Sequence, residues 1–146
     1  MAQKEDLEFR KTEDYASMVE LGRRSGLETN SLPELAVAYG FFDGDRLVAC
    51  AGLKTKGGRF SIECLAVEEA LRGKGLGAEL VHRLESDARR MGADTLWALA
   101  RRPAFFQAIG YSIMDHRAPG APDISECLQC KQYRESCHPS IVAKRL

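Results

Sequence analysis

The sequence has no apolar run near the ~20 residues that a membrane span needs. Met1 to Asp6 is polar and charged with no apolar stretch behind it, so no secretory leader is expected and a cytoplasmic location follows by default. Nor is there a charge imbalance, because Lys plus Arg and Asp plus Glu number 21 each. That removes a global basic field, and with it the electrostatic case for nucleic acid or an anionic membrane as partner. Internal repeats and low-complexity segments are missing as well. The five cysteines, Cys50, Cys64, Cys127, Cys130 and Cys137, are an odd number in a chain for which no leader is expected, which argues against a disulfide framework and for reduced thiols. None of His82, His116 and His138 pairs with a nucleophile in the manner of a triad. What remains is a chain of 146 residues, 45% apolar and 29% charged. Residues 1–146 should form a single soluble domain around one core.

The stretch that organises this domain runs from Ser61 to Met91. A strand, Ser61 to Val67, leads through a short linker into Arg72-Gly73-Lys74-Gly75-Leu76-Gly77, which opens an amphipathic helix. Strand, glycine-rich turn and helix is an anion-binding arrangement, because a helix N-terminus presents unpaired N–H groups and glycine lets a phosphate approach the backbone. In the helix, Leu76, Leu80, Val81, Leu84, Ala88 and Met91 recur at helical spacing, Glu79, Arg83, Asp87 and Arg90 take the other face, and Gly92 supplies a stop. A Walker loop requires Ser or Thr after Gly-Lys, but Lys74 is followed by Gly75. A dinucleotide fingerprint has Gly-x-Gly-x-x-Gly in the first strand-helix unit, whereas Gly73, Gly75 and Gly77 fall mid-chain at a different spacing. The acyl-coenzyme A loop, Arg/Gln-x-x-Gly-x-Gly/Ala, is matched by residues 72–77 at every specified position.

The surrounding elements follow from pattern. Leu7 to Lys11 reads as a strand, and Thr12-Glu13-Asp14 as the capped start of a helix that turns Tyr15, Met18, Val19 and Leu21 to the core and ends at Gly22 or Gly26. Asn30 or Ser31 would cap a second short helix with Pro33 in its first turn, its neighbours Glu28, Thr29, Asn30 and Glu34 facing a substrate. Tyr39 to Phe42 and Arg46 to Leu53 flank Asp43-Gly44-Asp45, a hairpin signal. Lys56-Gly57-Gly58 then turns the chain into the strand of Glu63. Thr95 to Leu99 is an apolar run of the kind found in buried parallel strands, Pro103 to Gly110 a short helix, and Tyr111 to Met114 a further strand. The expected order is β-α-α-β-β-β-α-β-α-β, an α/β plan with a mixed sheet.

From Leu7 to Met114 the chain resembles the GNAT superfamily of acyl-coenzyme A N-acyltransferases. Leu65-Ala66-Val67 with residues 72–77 looks like its pantetheine strand and pyrophosphate loop, Phe105-Phe106-x-x-x-Gly110-Tyr111 like its late helix-to-strand block, and the element order is similar. The resemblance implies a GNAT-type α/β fold, with a mixed, mostly antiparallel central sheet and helices on both faces, and acetyl-CoA as cosubstrate. By the same resemblance, backbone groups of Leu65 and Val67, on either side of Ala66, bond the pantetheine arm. Amides from Arg72 to Gly77, that is Arg72, Gly73, Lys74, Gly75, Leu76 and Gly77, hold the pyrophosphate, and Arg72 or Lys74 adds charge. An amine attacks the thioester directly. That demands a base for the ammonium, donors for the oxyanion and a proton for the thiolate.

Strict alternation along the strand puts Glu63 on one face with Ser61, Leu65 and Val67. This makes Glu63 the candidate base, acting through a water that Ser61 positions; a solvated or salt-bridged strand glutamate is the other reading. The family often has a tyrosine acid where this chain has Phe106, so the thiolate either leaves unprotonated or takes a proton from Tyr111 or water. Phe106 is then a core or pantetheine-packing aromatic. Arg101 and Arg102 are candidates to clamp a substrate carboxylate, or else a solvated pair at a strand end.

Cys127, Cys130, Cys137 and His138 supply the ligand types of a zinc site, yet adjacent Cys137 and His138 suit one ion poorly. The preferred reading is of thiols packing a Cys-rich segment, 116–146, on the domain, with no metal. Short bacterial N-acetylglutamate-synthase-like acetyltransferases carry a similar tail. That looser resemblance favours a small amine, an amino acid such as glutamate, as acceptor. Other readings are a non-catalytic acyl-CoA-binding or thiol- or metal-sensing module and a protein N-acetyltransferase. A homodimer built on the C-terminal strand is a further expectation.

Overall fold

The structure, a computed structural model, describes residues 3–26, 34–115, 119, 121 and 140–146. Seven strands form one sheet, β1 Glu8–Lys11, β2 Val37–Asp43, β3 Arg46–Lys56, β4 Arg59–Val67, β5 Thr95–Ala100, β6 Ser112–Met114 and β7 Ser140–Arg145. Their spatial order is β1-β2-β3-β4-β5-β7-β6. The one parallel ladder pairs β4 with β5, two strands joined by the crossover helix α2 Leu76–Arg90. The other two helices are α1 Tyr15–Arg24 and α3 Pro103–Ala108. No helix among the described residues is long and apolar enough to cross a membrane.

The two larger core clusters lie on opposite faces of the sheet. On one, Leu76, Leu80, Val81, Leu84 and Ala88 of α2 pack on Ala49, Ala51, Leu53 and Ile62. On the other, Met18 and Leu21 of α1 pack on Ala38, Phe42, Cys50 and Ala66. The expected apolar stripe of α2 is therefore the buried one, except that Met91 lies past the helix end at 50% exposure. Asp14 starts α1 by accepting the Ser17 amide at 3.1 Å. Tyr15, expected in the core, stands in the first turn of α1 and is exposed. The second short helix expected at Asn30, Ser31 and Pro33 falls outside the described residues.

Three further findings differ from the sequence reading. Asp87, assigned to the solvated face of α2, is buried, where it accepts the Tyr39 hydroxyl and pairs with Arg83 and Arg90. Glu85 is buried too, accepting the Tyr111 hydroxyl at 2.8 Å and facing Lys144 Nζ at 3.2 Å. Finally, the expected element order stopped at Met114, but β7 follows and inserts antiparallel between β5 and β6. Its apolar centre, Ile141-Val142-Ala143, is too short to show a period beside a tail of Cys, Pro and polar residues. The Cys-rich candidates Cys127, Cys130, Cys137 and His138 lie outside the described residues.

Candidate functional site

The sheet opens in its middle. β4 and β5 pair only through Phe60–Leu96, Ser61–Trp97 and Ile62–Ala98, although β4 runs on to Val67 and β5 to Ala100. β3 holds the other edge of β4 as far as Val67, and β7 holds the other edge of β5 as far as Ala100. From Glu63 to Val67 one edge of β4 therefore has no ladder partner among the described residues. Such an edge can take an extended ligand with amide groups as if it were a strand.

Where the pairing stops, β4 also changes face. Gly52 pairs with Glu63, but Cys50 pairs with Ala66, so Ala51 stands against both Cys64 and Leu65. Cys64 absorbs the extra residue with φ 52°, the sole positive value outside glycine among the described residues. The consequence corrects the expected grouping. Leu65 and Val67 join Ile62 and Phe60 on the α2 face, whereas Cys64 and Ala66 join the α1 face. Glu63, opposite Gly52, lies on the α1 face, with Ser61 opposite Lys54 two residues earlier. Glu63 is thus not on the side of Leu65 and Val67.

The glycine loop forms one mouth of this opening. Gly73 and Gly75 adopt φ 80° and 83°, left-handed values on either side of Lys74 of the kind found in anion-binding nests of amides. Gly75 is the N-cap of α2, and no side chain caps the first turn, so the opening amides of α2 lack intrahelical partners. The Arg72 amide, by contrast, bonds the Glu69 carbonyl. The Arg72 side chain folds back so that Nε donates to the Val67 carbonyl at 3.3 Å. Lys74 makes no ion pair among the described residues.

Of the two late aromatics, Phe105 reaches the loop, and a Cβ on Gly77 would stand 3.1 Å from its ring. Phe106, expected against the cofactor arm or in the core, is a core residue. It packs edge-on against Phe105 and Tyr111, with ring centroids 5.1 and 5.2 Å away. Tyr111 is not placed as an acid. Its hydroxyl is buried on Glu85, and desolvation, that hydrogen bond and the carboxylate charge all push its pKa far above the ordinary value. Arg101, at the end of β5, donates to the Gly26 carbonyl at 2.6 Å and so ties the strand end to the end of α1. Arg102 is exposed at the start of α3.

Sequence reasoning missed one cation here. Lys4, in a short 3-10 turn, pairs with Glu79 of α2 and lies 3.6 Å from where a Cβ on Gly75 would stand. No motif marks Lys4, because the approach is made by folding alone.

Residues 4–111 match the Acetyltransferase (GNAT) family. The amino-acid acetyltransferase of Pseudomonas putida strain GB-1 is 39% identical over 71 residues, which cover 45% of this chain and 16% of that protein. This chain thus spans about a sixth of the length of that relative. Among solved structures, N-acetylglutamate synthase from Neisseria gonorrhoeae, complexed with coenzyme A and N-acetyl-glutamate, superposes with a TM-score of 0.73. The identity is 23%, covering 99% of this chain and 36% of that one. The ribosomal-protein-S18-alanine N-acetyltransferase of Escherichia coli gives a TM-score of 0.68 at 16% identity, covering 95% of this chain and 93% of that one.

Proposed function

Because the chain belongs to the acetyltransferase (GNAT) family, we propose that it moves an acetyl group from acetyl-CoA to the amino group of a small carboxylate-bearing acceptor, an amino acid such as glutamate. The observation that carries this reading is the parting of β4 and β5 after Ile62 and Ala98, with the glycine nest at one mouth and Glu63 at the point of parting. In this reading the free edge of β4 at Leu65 and Val67 receives the two amides of the pantetheine arm. The amides of residues 73–77 take the pyrophosphate, Lys74 and Lys4 add charge, and Phe105 packs on the arm.

The acceptor reaches the thioester from the α1 face, where the bulge leaves Glu63. Glu63 takes a proton from the incoming ammonium, through a water that Ser61 helps to hold, and the amine then attacks the carbonyl carbon. A new C–N bond forms as the C–S bond breaks. The coenzyme A thiol, with a reference pKa near ~8.5, leaves as thiolate or takes its proton from water, since neither Phe106 nor Tyr111 is placed to supply one. Arg101, held beside the end of α1, and Arg102 are the residues this reading gives to the acceptor carboxylate.

A small acceptor is favoured by the 39% identity to an amino-acid acetyltransferase. A protein acceptor is the second reading, supported by the whole-length likeness to an enzyme named for a ribosomal protein. Incubating the protein with acetyl-CoA, an amino-acid panel and an N-terminal peptide, followed by product mass, separates them. An acetylated amino acid is the expected product. Acetyl-CoA binding with no acetylated amine of any kind would leave a binding module and sink the enzyme reading.

A further inference from the structure

The bulge beside the opening carries a pair of thiols that acyl transfer does not use. Cys50, fully buried on β3, donates from Sγ to the Cys64 carbonyl at 3.4 Å. Cys64, half-buried on β4, donates from Sγ to the Met18 carbonyl of α1 at 3.5 Å. Both side chains belong to the cluster packed on the α1 face, with the Cys50 sulfur against the backbone of Cys64. Both thiols are free. They straddle the one place where β4 takes an extra residue, immediately before the free edge at Leu65 to Val67.

We propose that Cys50 and Cys64 are a redox-modification site, a dithiol that a peroxide oxidises to a disulfide bridging β3 and β4 at the bulge. The two thiols have unequal roles. The neighbouring Cys50 thiol holds the Cys64 thiol below its ordinary pKa, against burial and the charge of Glu63. The Cys64 thiol and burial push Cys50 well above its own. Cys64 is therefore the nucleophile and Cys50 the resolving thiol, and Cys64 is also the more accessible of the two.

The Cys64 thiolate attacks one peroxide oxygen, the O–O bond breaks, and sulfenic acid forms as hydroxide leaves. The Cys50 sulfur then displaces that oxygen. The S–O bond breaks as the S–S bond forms, and the Cys50 proton departs with the oxygen as water. Two electrons pass from the sulfur pair to the peroxide. A small dithiol reverses the step by exchange. Bridging takes the Cys64 sulfur off the Met18 carbonyl and pins the bulge to β3, which shifts the β4 edge. For its effect on activity, though not for its chemistry, the inference rests on the proposed function.

The test uses the full chain, reduced, exposed to hydrogen peroxide, alkylated and mapped by peptide mass. The same treatment is applied to a variant with Cys127, Cys130 and Cys137 changed to Ser, which removes competing thiols. A Cys50–Cys64 linked peptide in most chains, lost on adding dithiothreitol, is the expected result. Cys50→Ala should instead trap Cys64 as a sulfenic acid that dimedone labels. Acetyl-CoA affinity should fall several-fold on oxidation and recover on reduction. Full alkylation of Cys50 and Cys64 after peroxide, or linkage of Cys64 to a tail cysteine alone, would overturn the site. Linkage without any change in acetyl-CoA affinity would overturn its regulatory consequence. If the reduced protein binds no acetyl-CoA while the linked peptide still forms, the proposed function fails and the dithiol stands.

Discussion

Glu63 faces Gly52 across β3 and β4, one residue before the backbone of Cys64 turns left-handed. Gly52 has no room for a side chain, since a Cβ there would stand 2.6 Å from Leu35 Cδ1. Glu63 thus lies on the α1 face, on the side where Leu35 covers Gly52, while Leu65 and Val67, beyond the bulge, belong to the α2 side. In the proposed reaction this separates the two halves of the task. The acceptor is handled from the α1 side, and the acyl carrier is gripped along the free strand edge.

Replacing Glu63 with Gln keeps the shape and removes the base. Turnover should fall by roughly 10²–10⁴, the usual contribution of a general base, while the dissociation constant for acetyl-CoA stays nearly unchanged. A variant whose pH–rate profile keeps the wild-type acid limb would take Glu63 out of the role.

Gly75→Ala tests the nest. With a φ of 83° and only Lys4 Nζ at 3.6 Å, an ordinary contact, from an added Cβ, the cost is conformational rather than steric, about 1 kcal/mol for a residue with a Cβ. Either the fold bears that cost or the loop relaxes, and relaxation should weaken acetyl-CoA binding by up to roughly tenfold. Gly44→Ala, in the β2–β3 turn at φ 62°, is the control and should leave binding unaltered. Equal affinity losses in the two variants, read by calorimetry, would count against the cradle.

Tyr111→Phe should cost about 1 kcal/mol near neutral pH through the lost hydrogen bond to Glu85. The native pKa of Tyr111 is raised, so above its unfolded value of about 10 the unfolded chain releases a proton that the native chain keeps. Stability from this group is therefore complete below that pH and is lost as pH rises. Urea unfolding should show the gap between wild type and variant narrowing above about pH 10. A constant gap would contradict the raised pKa.

Lys144→Met leaves Glu85 buried with the Tyr111 hydroxyl still donating to it and releases the tie from β7 to the Ile109 carbonyl. Losing one member of a buried ion pair costs about 3 kcal/mol, which should lower the thermal midpoint by roughly 10 °C. Adding Glu85→Gln should restore part of the loss, because it removes the stranded charge. A single variant as stable as wild type would show that the pair does not hold β7.

Much of the molecule is legible in local pattern. The stripe from Leu76 to Ala88, the hairpin around Gly44 and the glycine run from Gly73 to Gly77 declare themselves within a few residues, because helical period, turn chemistry and positive φ are properties of neighbours in sequence. The apolar run from Thr95 likewise marked the strand that pairs in parallel with β4. Asp87 and Glu85 were misjudged or missed for the converse reason. Their polarity argued for solvent, and partners brought from elsewhere in the chain, Tyr39 for Asp87 and Tyr111 and Lys144 for Glu85, help make their burial tolerable.

By itself, then, the sequence determined which segments would be strand, loop and helix around the glycine loop, and which apolar stripe of α2 would be buried. Tertiary structure alone decided that β4 gains a residue at Cys64, that Glu63 stands apart from Leu65 and Val67, that β7 enters between β5 and β6, and that Lys4 reaches Gly75. The reason lies in range. Period and turn preference act between neighbours, whereas register, bulges and strand insertion are set by partners far away in the chain, and a slip of one residue reverses every side chain beyond it.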